Sequence, residues 1–270
     1  MTADTQVLKN AIARANERRS MKLFLVSTPE EEAAARRPPR DADAIVQNAA
    51  MDVFTIDPAK VRDISAQLLD RGGRIRVTPA CSLAKTTAQE RMLFGVRHGL
   101  YSFPTDELCD FLRSRIHGRS AIEIGAGHGA LAKTLSIPAT DNRQQEEEGV
   151  KAYYRQLGQP TVPYGDHVEK LDAASAVAKY QPSVVIACWV THRFDASRPE
   201  IGGSVTGVDE EALVAACDEY IFIGNERVHA SKPILKLRHE KLTPPWLHSR
   251  AMNGSPDFIA VWRRADIARA

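Results

Sequence analysis

The sequence predicts an α/β fold with a doubly wound, mostly parallel sheet, preceded by a mainly helical N-terminal region. After Gly118, short apolar segments rich in β-branched residues alternate with amphipathic or capped segments, whereas helix-start and helix-stop signals dominate before it. Near-continuous apolar strands are typical of a parallel sheet that is buried on both faces. The 270 residues can form one large α/β domain with an addition. We expect residues 1–100 to form the helical region and residues 101–270 the α/β domain.

Helix-start and helix-stop signals predict several helices in the N-terminal region. Residues 3–19 have apolar side chains at helical spacing, and residues 22–26 can form a short strand. The basic, proline-containing stretch 36–41 predicts a loop. Further helices are predicted over residues 57–69, 87–97 and 104–116, with glycines shortly after each of them. We interpret residues 1–100 as a cap or substrate-recognition region.

The α/β domain is predicted from four apolar segments that are too short for buried helices. They span residues 121–124, 184–190, 220–223 and 258–262, and Gly, Pro and polar residues separate them. Alternation of such strands with helices indicates crossover connections and therefore a parallel sheet.

Composition excludes several classes of protein. A net charge of +2 provides no electrostatic case for nucleic acid binding. The four cysteines are far apart and form no C-x-x-C pair, which argues against a zinc site and a disulfide framework. No apolar run is long enough to span a membrane, and the charged N-terminus does not resemble a secretory signal. We expect a soluble, cytoplasmic protein without membrane association.

The most informative segment is the glycine loop that follows the first predicted strand. There, Ala121-Ile122-Glu123-Ile124 leads into Gly125, Gly127 and Gly129 at alternate positions, and a short helix follows. Glycines let the backbone turn tightly and approach a ligand without a Cβ in the way. The free N–H groups of the following helix suit a polar or anionic group.

Two cofactors use such a loop, and Glu123 distinguishes between them. Gly125, Gly127 and Ala130 also satisfy the G-x-G-x-x-A spacing of dinucleotide sites. However, Glu123 lies two residues before the first glycine, where its carboxylate would approach a diphosphate. S-adenosylmethionine carries a sulfonium and an amino group, so a nearby acid attracts it.

These residues resemble the first motif of the class I S-adenosylmethionine-dependent methyltransferases, an acid followed by G-x-G-x-G. The resemblance implies a Rossmann-like sheet and S-adenosyl-L-methionine as the cofactor. In that superfamily the next strand ends in an acid that binds the ribose hydroxyls, which implies this role for Asp141, with Asn142 beside it. A further acid near the adenine amino group is implied at Asp172, followed by Ala173. For Asp141 and Asp172, capping of the following helix is the alternative role.

The reaction is expected at the end of the predicted strand 184–190, where Thr191 and His192 follow. Ligands of open α/β sheets lie beyond the carboxyl ends of the strands. His192 is a candidate general base because imidazole titrates near neutral pH, and a surface or supporting role is the alternative. Members of that superfamily that methylate exocyclic amines carry an acid, asparagine or serine at this position, followed by two prolines and an aromatic residue. This chain has Cys188-Trp189-Val190-Thr191 there instead. No histidine spacing indicates a metal site, and we expect none.

Taken together, the sequence predicts an S-adenosylmethionine-dependent methyltransferase that acts on an O or N nucleophile of an unidentified acceptor. The N-terminal region and the loops 191–211 and 224–232 are expected to select that acceptor. Two alternatives stay open at this point. One is a non-catalytic S-adenosylmethionine-binding regulatory or partner module, and the other is an NAD(P)-dependent oxidoreductase.

Overall fold

The computed structural model describes residues 59–156 and 160–267 of the chain. The seven strands in this part are β1 (Ala121–Ile124), β2 (Ala139–Asp141), β3 (Val168–Lys170), β4 (Val184–Cys188), β5 (Glu219–Asn225), β6 (Glu240–Leu242) and β7 (Asp257–Arg263). They form one sheet in the order β3-β2-β1-β4-β5-β7-β6. Neighbouring strands from β3 to β5 are parallel, and β7 pairs antiparallel with both β5 and β6. The predicted mostly parallel sheet is confirmed.

Helices lie on both faces of this sheet. They are α1 (Ser65–Leu68), α2 (Ala80–Ala84), α3 (Ala88–His98), α4 (Asp106–Ile116), α5 (Ala130–Leu135), α6 (Glu148–Gln156), α7 (Ala173–Tyr180), α8 (Glu210–Ala216) and α9 (Arg264–Ile267). Apolar side chains of α7 and α8 belong to one hydrophobic cluster, and those of α4 and α5 belong to another. Because the two clusters lie on opposite faces of the strands, the sheet is doubly wound.

The central strand β4 shows why the chain folds in this way. Val185 and Ala187 pack into the cluster beneath α7 and α8, whereas Val184 and Ile186 pack into the cluster beneath α4 and α5. All four side chains are fully buried. Since successive side chains of a strand point to opposite faces, an unbroken apolar run is required to fill both cores.

The position of a ligand site follows from the strand order. β1 lies between β2 and β4, so the chain moves outward from β1 in one direction through β2 and β3 and in the other through β4 and β5. Such a switch point leaves a crevice at the carboxyl ends of the central strands. The glycine loop follows β1 and therefore opens onto this crevice.

The helices before β1 are partly as predicted. Helix α3 has a capping box between Thr87 and Glu90 and ends at Gly99, which has a left-handed φ of 66°. Helix α4 is capped by the Thr105 hydroxyl. The predicted helix 57–69 is wrong in extent, because only Ser65–Leu68 is helical among its described residues. Arg62, in the part that is not helical, forms an ion pair with Glu90 of α3, with its Nε 2.7 Å from Oε1 of Glu90.

Helices α1, α2 and α3 pack on the glycine-loop side of the sheet. One hydrophobic cluster combines side chains of α1, α2 and α3 with Ala130, the first residue of α5; its buried members are Ile64, Leu68, Leu83, Phe94, Leu100, Phe103 and Ala130. The predicted helix 3–19, strand 22–26 and loop 36–41 lie outside the described residues. No helix among the described residues is long and apolar enough to cross a membrane.

Candidate active site

The glycine loop leaves β1 in a conformation that requires glycine. Gly125, Gly127 and Gly129 have φ values of 56°, 53° and 75°, in the left-handed region that side chains rarely adopt. A Cβ on Gly125 would also lie 2.5 Å from Cγ1 of Val190, which follows β4. The close contact between the loop and the end of β4 therefore depends on this glycine.

A cleft of about 290 Å³ opens where the carboxyl ends of the parallel strands meet. Nine of the ten predicted site residues line it, namely Glu123, Gly125, Gly127, Gly129, Asp141, Asn142, Asp172, Ala173 and Thr191. The tenth, His192, lines a neighbouring pocket of about 300 Å³. Residues that the glycine loop alone does not identify complete the wall of the cleft, among them Tyr101, Ser102, Tyr164, Arg193 and Thr206.

Glu123 lies buried at the base of the cleft. Its Oε2 accepts a hydrogen bond from the backbone N–H of Ala132 in α5, at 2.8 Å. Burial raises the pKa of its carboxyl group to about 8, against the lowering effect of that hydrogen bond, and the charge of Asp141 adds to the rise. Glu123 is therefore mostly protonated at pH 7, and a cation placed beside it would favour the ionised form.

Asp141 joins the end of β2 to the glycine loop. Its Oδ2 accepts from the backbone N–H of Gly127 at 2.9 Å, and its Oδ1 accepts from that of Arg143 at 2.7 Å. Burial raises the pKa of this carboxyl group, while the two backbone bonds and a hydrogen bond from Tyr164 lower it. Each carboxylate oxygen can accept more than one bond, so Asp141 can also accept from a ligand's hydroxyls.

Asn142 and Asp172 each bond to neighbouring protein groups. Asn142 accepts from the backbone N–H of Gln144 at 3.1 Å and donates to the carbonyl of Thr206 at 3.3 Å. Asp172 accepts from the backbone N–H and the hydroxyl of Ser175, at 3.0 Å and 2.6 Å, and so caps α7. The capping role considered for Asp172 is present, and its side chain still lines the cleft.

The segment between β4 and α8 reaches across the cleft. It pairs with itself through backbone bonds between Thr191 and Val208 and between His192 and Ser204. From it, the hydroxyl of Thr206 bonds to Gln144, next to the bond between Asn142 and the Thr206 carbonyl. The carboxyl ends of β4 and β2 are thus connected over the central strand β1.

The exit of β4 differs from the prediction. Strand β4 ends at Cys188 and not at Val190, because Trp189 has a left-handed φ of 59°. For a bulky residue this conformation costs about 1–3 kcal/mol and persists only where the surroundings fix it. The Trp189 N–H donates to the carbonyl of Ile223 at 2.9 Å, and its indole N–H donates to the hydroxyl of Ser102 at 3.0 Å.

Aromatic side chains pack around this turn. The rings of Tyr101 and His229 lie 5.7 Å and 5.0 Å from that of Trp189, and the Arg250 guanidinium stacks on Tyr101. The Trp189 ring therefore packs against protein side chains, although the residue also lines the cleft. Burial raises the pKa of the neighbouring Cys188 to about 12, so this cysteine stays a thiol.

Thr191 and His192 follow the turn and diverge from each other. Thr191 lines the cleft, whereas His192 is buried beside the neighbouring pocket and packs against Gly203. Burial lowers the pKa of His192, and the charge of Lys232 lowers it further. The imidazole is therefore neutral at pH 7, which is the form that a general base requires.

The described part of the chain contains potential metal ligands and four cysteines. There, no group of three or more His, Cys, Asp or Glu side chains is arranged to hold a metal ion. Cys81, Cys109, Cys188 and Cys217 are all free thiols.

The chain matches no family model and no curated protein. Solved structures similar to it include a precorrin-6y C5,15-methyltransferase from Geobacter metallireducens (11% identity, 59% of this chain and 89% of that chain, TM-score 0.31). An RNA methyltransferase from Salinibacter ruber in complex with S-adenosyl-L-homocysteine is similar at 10% identity, over 58% and 90% of the chains, with a TM-score of 0.29. A human methyltransferase 10 domain containing protein is similar at 14% identity, over 69% and 96%, with a TM-score of 0.32. The strand order carries the fold assignment.

Proposed function

We propose that this protein is an S-adenosyl-L-methionine-dependent methyltransferase that acts on an O or N nucleophile. The charge of the cleft is the observation that supports this proposal most directly. Among its described lining residues, Asp141, Asp172 and Asp209 are acidic, Glu123 would ionise beside a cation, and the single basic side chain is that of Arg193. An acidic cleft attracts a sulfonium and an ammonium group and repels the diphosphate of a dinucleotide.

The residues around the glycine loop would hold the cofactor. Glu123 would stabilise its positive charge, and the glycines would allow close approach of the backbone. Asp141 would accept hydrogen bonds from the ribose hydroxyls, because its carboxylate is already oriented by the Gly127 N–H. Asp172 and Ala173, at the start of α7, would contact the adenine, with Asn142 beside the ribose.

The bound cofactor supplies a methyl group on a positively charged sulfur. Transfer would form a bond between the acceptor and that methyl carbon, and the electron pair of the broken carbon–sulfur bond would stay on the sulfur. Thr191 lines the wall at the end of β4 and would orient the acceptor. Much of the acceleration would come from this orientation.

The acceptor's proton requires a base only if the acceptor arrives protonated. We assign that role to His192, which is neutral and directly follows Thr191. Because His192 faces the neighbouring pocket, the acceptor or a water molecule would have to reach it from that side. The two pockets share Arg193, Val208 and Asp209 in their walls, so this side is adjacent to the cleft.

A second candidate function is a non-catalytic S-adenosylmethionine-binding regulatory or partner module. It is favoured by the exit of β4, where Trp189 is packed between protein rings and Cys188 stays a protonated thiol. Neither group offers an acid, a base or an amide to a substrate at that position.

Calorimetric titration of the full chain with S-adenosylmethionine, S-adenosylhomocysteine and NAD(P) separates these functions from an oxidoreductase. We expect saturable binding of the first two ligands and none of NAD(P). Binding of NAD(P) alone would overturn the proposal. Methyl transfer from radiolabelled S-adenosylmethionine to components of a cell extract then distinguishes the enzyme from the binding module. The cytoplasmic location expected from the separated cysteines stays a prediction.

A further inference from the structure

A buried ion pair lies behind the exit of β4, outside the cleft. Lys232 and Glu210 are 2.6 Å apart, with side-chain exposures of 1% and 2%. Glu210 is the first residue of α8, and its Oε1 accepts a hydrogen bond from the hydroxyl of Tyr220 in β5 at 3.0 Å. The Lys232 ammonium also lies 4.5 Å from the centre of the Phe222 ring.

The third partner of Lys232 points to a role beyond stability. Its Nζ donates to the carbonyl of Val190 at 2.8 Å. That carbonyl directly follows the left-handed Trp189, and Val190 is the residue whose side chain fills the space beside Gly125. Lys232 therefore connects α8 and β5 to the turn that closes against the glycine loop.

Stability alone does not account for this arrangement. Burial lowers the pKa of Lys232 and raises that of Glu210, so each charge depends on the other. Replacing a buried ion pair by well-packed apolar side chains is often neutral or stabilising. An apolar side chain at position 232, however, provides no donor for the Val190 carbonyl.

We propose that Lys232 is a positioning residue that holds the turn of Trp189 and Val190 in the shape that the cofactor cleft requires, through its hydrogen bond to the Val190 carbonyl. The effect on cofactor binding rests on the proposed function, whereas the effect on the turn does not. Lys232 lies outside the cleft but thereby determines the geometry of the wall where β4 meets the glycine loop.

Two single variants form a matched pair for the test. Lys232→Met and Glu210→Gln both remove the ion pair, but only the first removes the bond to Val190, because glutamine leaves Lys232 in place. Amide hydrogen exchange is measured without ligand on a peptide covering residues 188–193, with residues 258–262 of β7 as the internal reference. Affinity for S-adenosylhomocysteine is measured by calorimetry.

We expect exchange over residues 188–193, relative to the reference, to be at least tenfold faster in Lys232→Met and within about threefold of wild type in Glu210→Gln. The dissociation constant of S-adenosylhomocysteine should rise about tenfold or more in the first variant and less than threefold in the second. Equal exchange in both variants would overturn the proposal. If the wild-type protein does not bind S-adenosylhomocysteine, the proposed function fails, and the exchange measurement still decides the role of Lys232.

A third variant covers the case in which Lys232→Met does not fold. Lys232→Met/Glu210→Leu/Tyr220→Phe replaces the whole network by apolar groups of similar size. Its unfolding midpoint should return toward that of wild type, while exchange over residues 188–193 stays at least tenfold faster. Wild-type exchange in this stable variant would equally overturn the proposal.

Discussion

The two sides of the cleft are built in different ways. On the β2 side, the glycine loop is held by Asp141 through the Gly127 N–H, across only 14 residues of chain. On the β4 side, the turn at Trp189 is held by Ser102 and its successor Val190 by Lys232, which are 87 and 42 residues away from their partners. One side is thus a local motif, and the other depends on tertiary packing.

This difference has a consequence for function. The local side would bind the cofactor, whose chemistry is fixed, and it needs only backbone and two carboxyl groups. The other side would receive the acceptor, and its shape depends on Ser102 before α4, on Glu210 of α8 and on Lys232 after β5. Substitutions of Asp141 on the first side and of His192 on the second should therefore separate cofactor binding from turnover.

The largest effect is expected on the glycine loop. Gly127→Val should weaken binding of S-adenosylhomocysteine at least 100-fold, as measured by calorimetry. The new side chain enters the cleft, and the left-handed backbone conformation disfavours valine. Gly118→Val is the matched control: its φ is 75°, nothing lies within 4 Å of an added Cβ, and it is outside the cleft. Wild-type affinity in Gly127→Val would place the site elsewhere.

On the opposite side, His192→Ala should lower turnover by about 10²–10⁴-fold if His192 is the base, and leave cofactor affinity nearly unchanged. Initial rates with a methylated acceptor and calorimetry measure the two quantities. Because the pKa of His192 is lowered, the wild-type base is already active at neutral pH. The loss should therefore shrink as the pH rises and the acceptor deprotonates unaided. Turnover within a few-fold of wild type would make His192 structural.

A smaller effect on affinity is expected for Asp141. Asp141→Ala should weaken S-adenosylmethionine by about 1–3 kcal/mol, the usual cost of losing a charged hydrogen-bond partner. Asp172→Ala serves as the comparison. Asp172 caps α7 and is more exposed than Asp141, so its removal should cause a smaller loss of affinity. Unchanged affinity in Asp141→Ala would limit this residue to holding the glycine loop.

The smallest effect concerns the pH dependence of binding. Glu123 has its pKa raised to about 8, and a cationic ligand favours its ionised form. Binding should therefore release a proton below pH 8, and affinity for S-adenosylmethionine should fall as the pH decreases, by at most about tenfold per unit. Calorimetry in buffers of different ionisation enthalpy measures this release. Glu123→Gln should abolish it, and persistence in that variant would assign the proton to another group.

The same contrast explains what the sequence could predict. Strand β1, the glycines and Asp141 are close together in the chain, so their spacing alone predicts where they meet. The long apolar strands β4, β5 and β7 are equally visible, because burial on both faces requires an unbroken apolar run. The fold class and the cofactor side of the site follow from these local patterns.

Features that depend on distant partners were not predictable in this way. Strands β3 and β6 each have three residues. Their sequences, V-E-K and E-K-L, are polar because these are the two edge strands of the sheet. The early end of β4 depends on hydrogen bonds with Ser102 and Lys232, and no local sequence pattern predicts it. The ion pair between Lys232 and Glu210 joins two polar positions that a hydrophobic pattern assigns to the surface.

The protonated state of Cys188 has a consequence for the proposed chemistry. A thiolate is a strong nucleophile, and this sulfur lies in the wall of a cleft that would contain a methyl donor. Because its pKa is raised to about 12, the thiolate form at pH 7 is much rarer for Cys188 than for an exposed cysteine. In the proposed methyltransferase, the burial that packs β4 would thereby also protect this sulfur from methylation by the donor beside it.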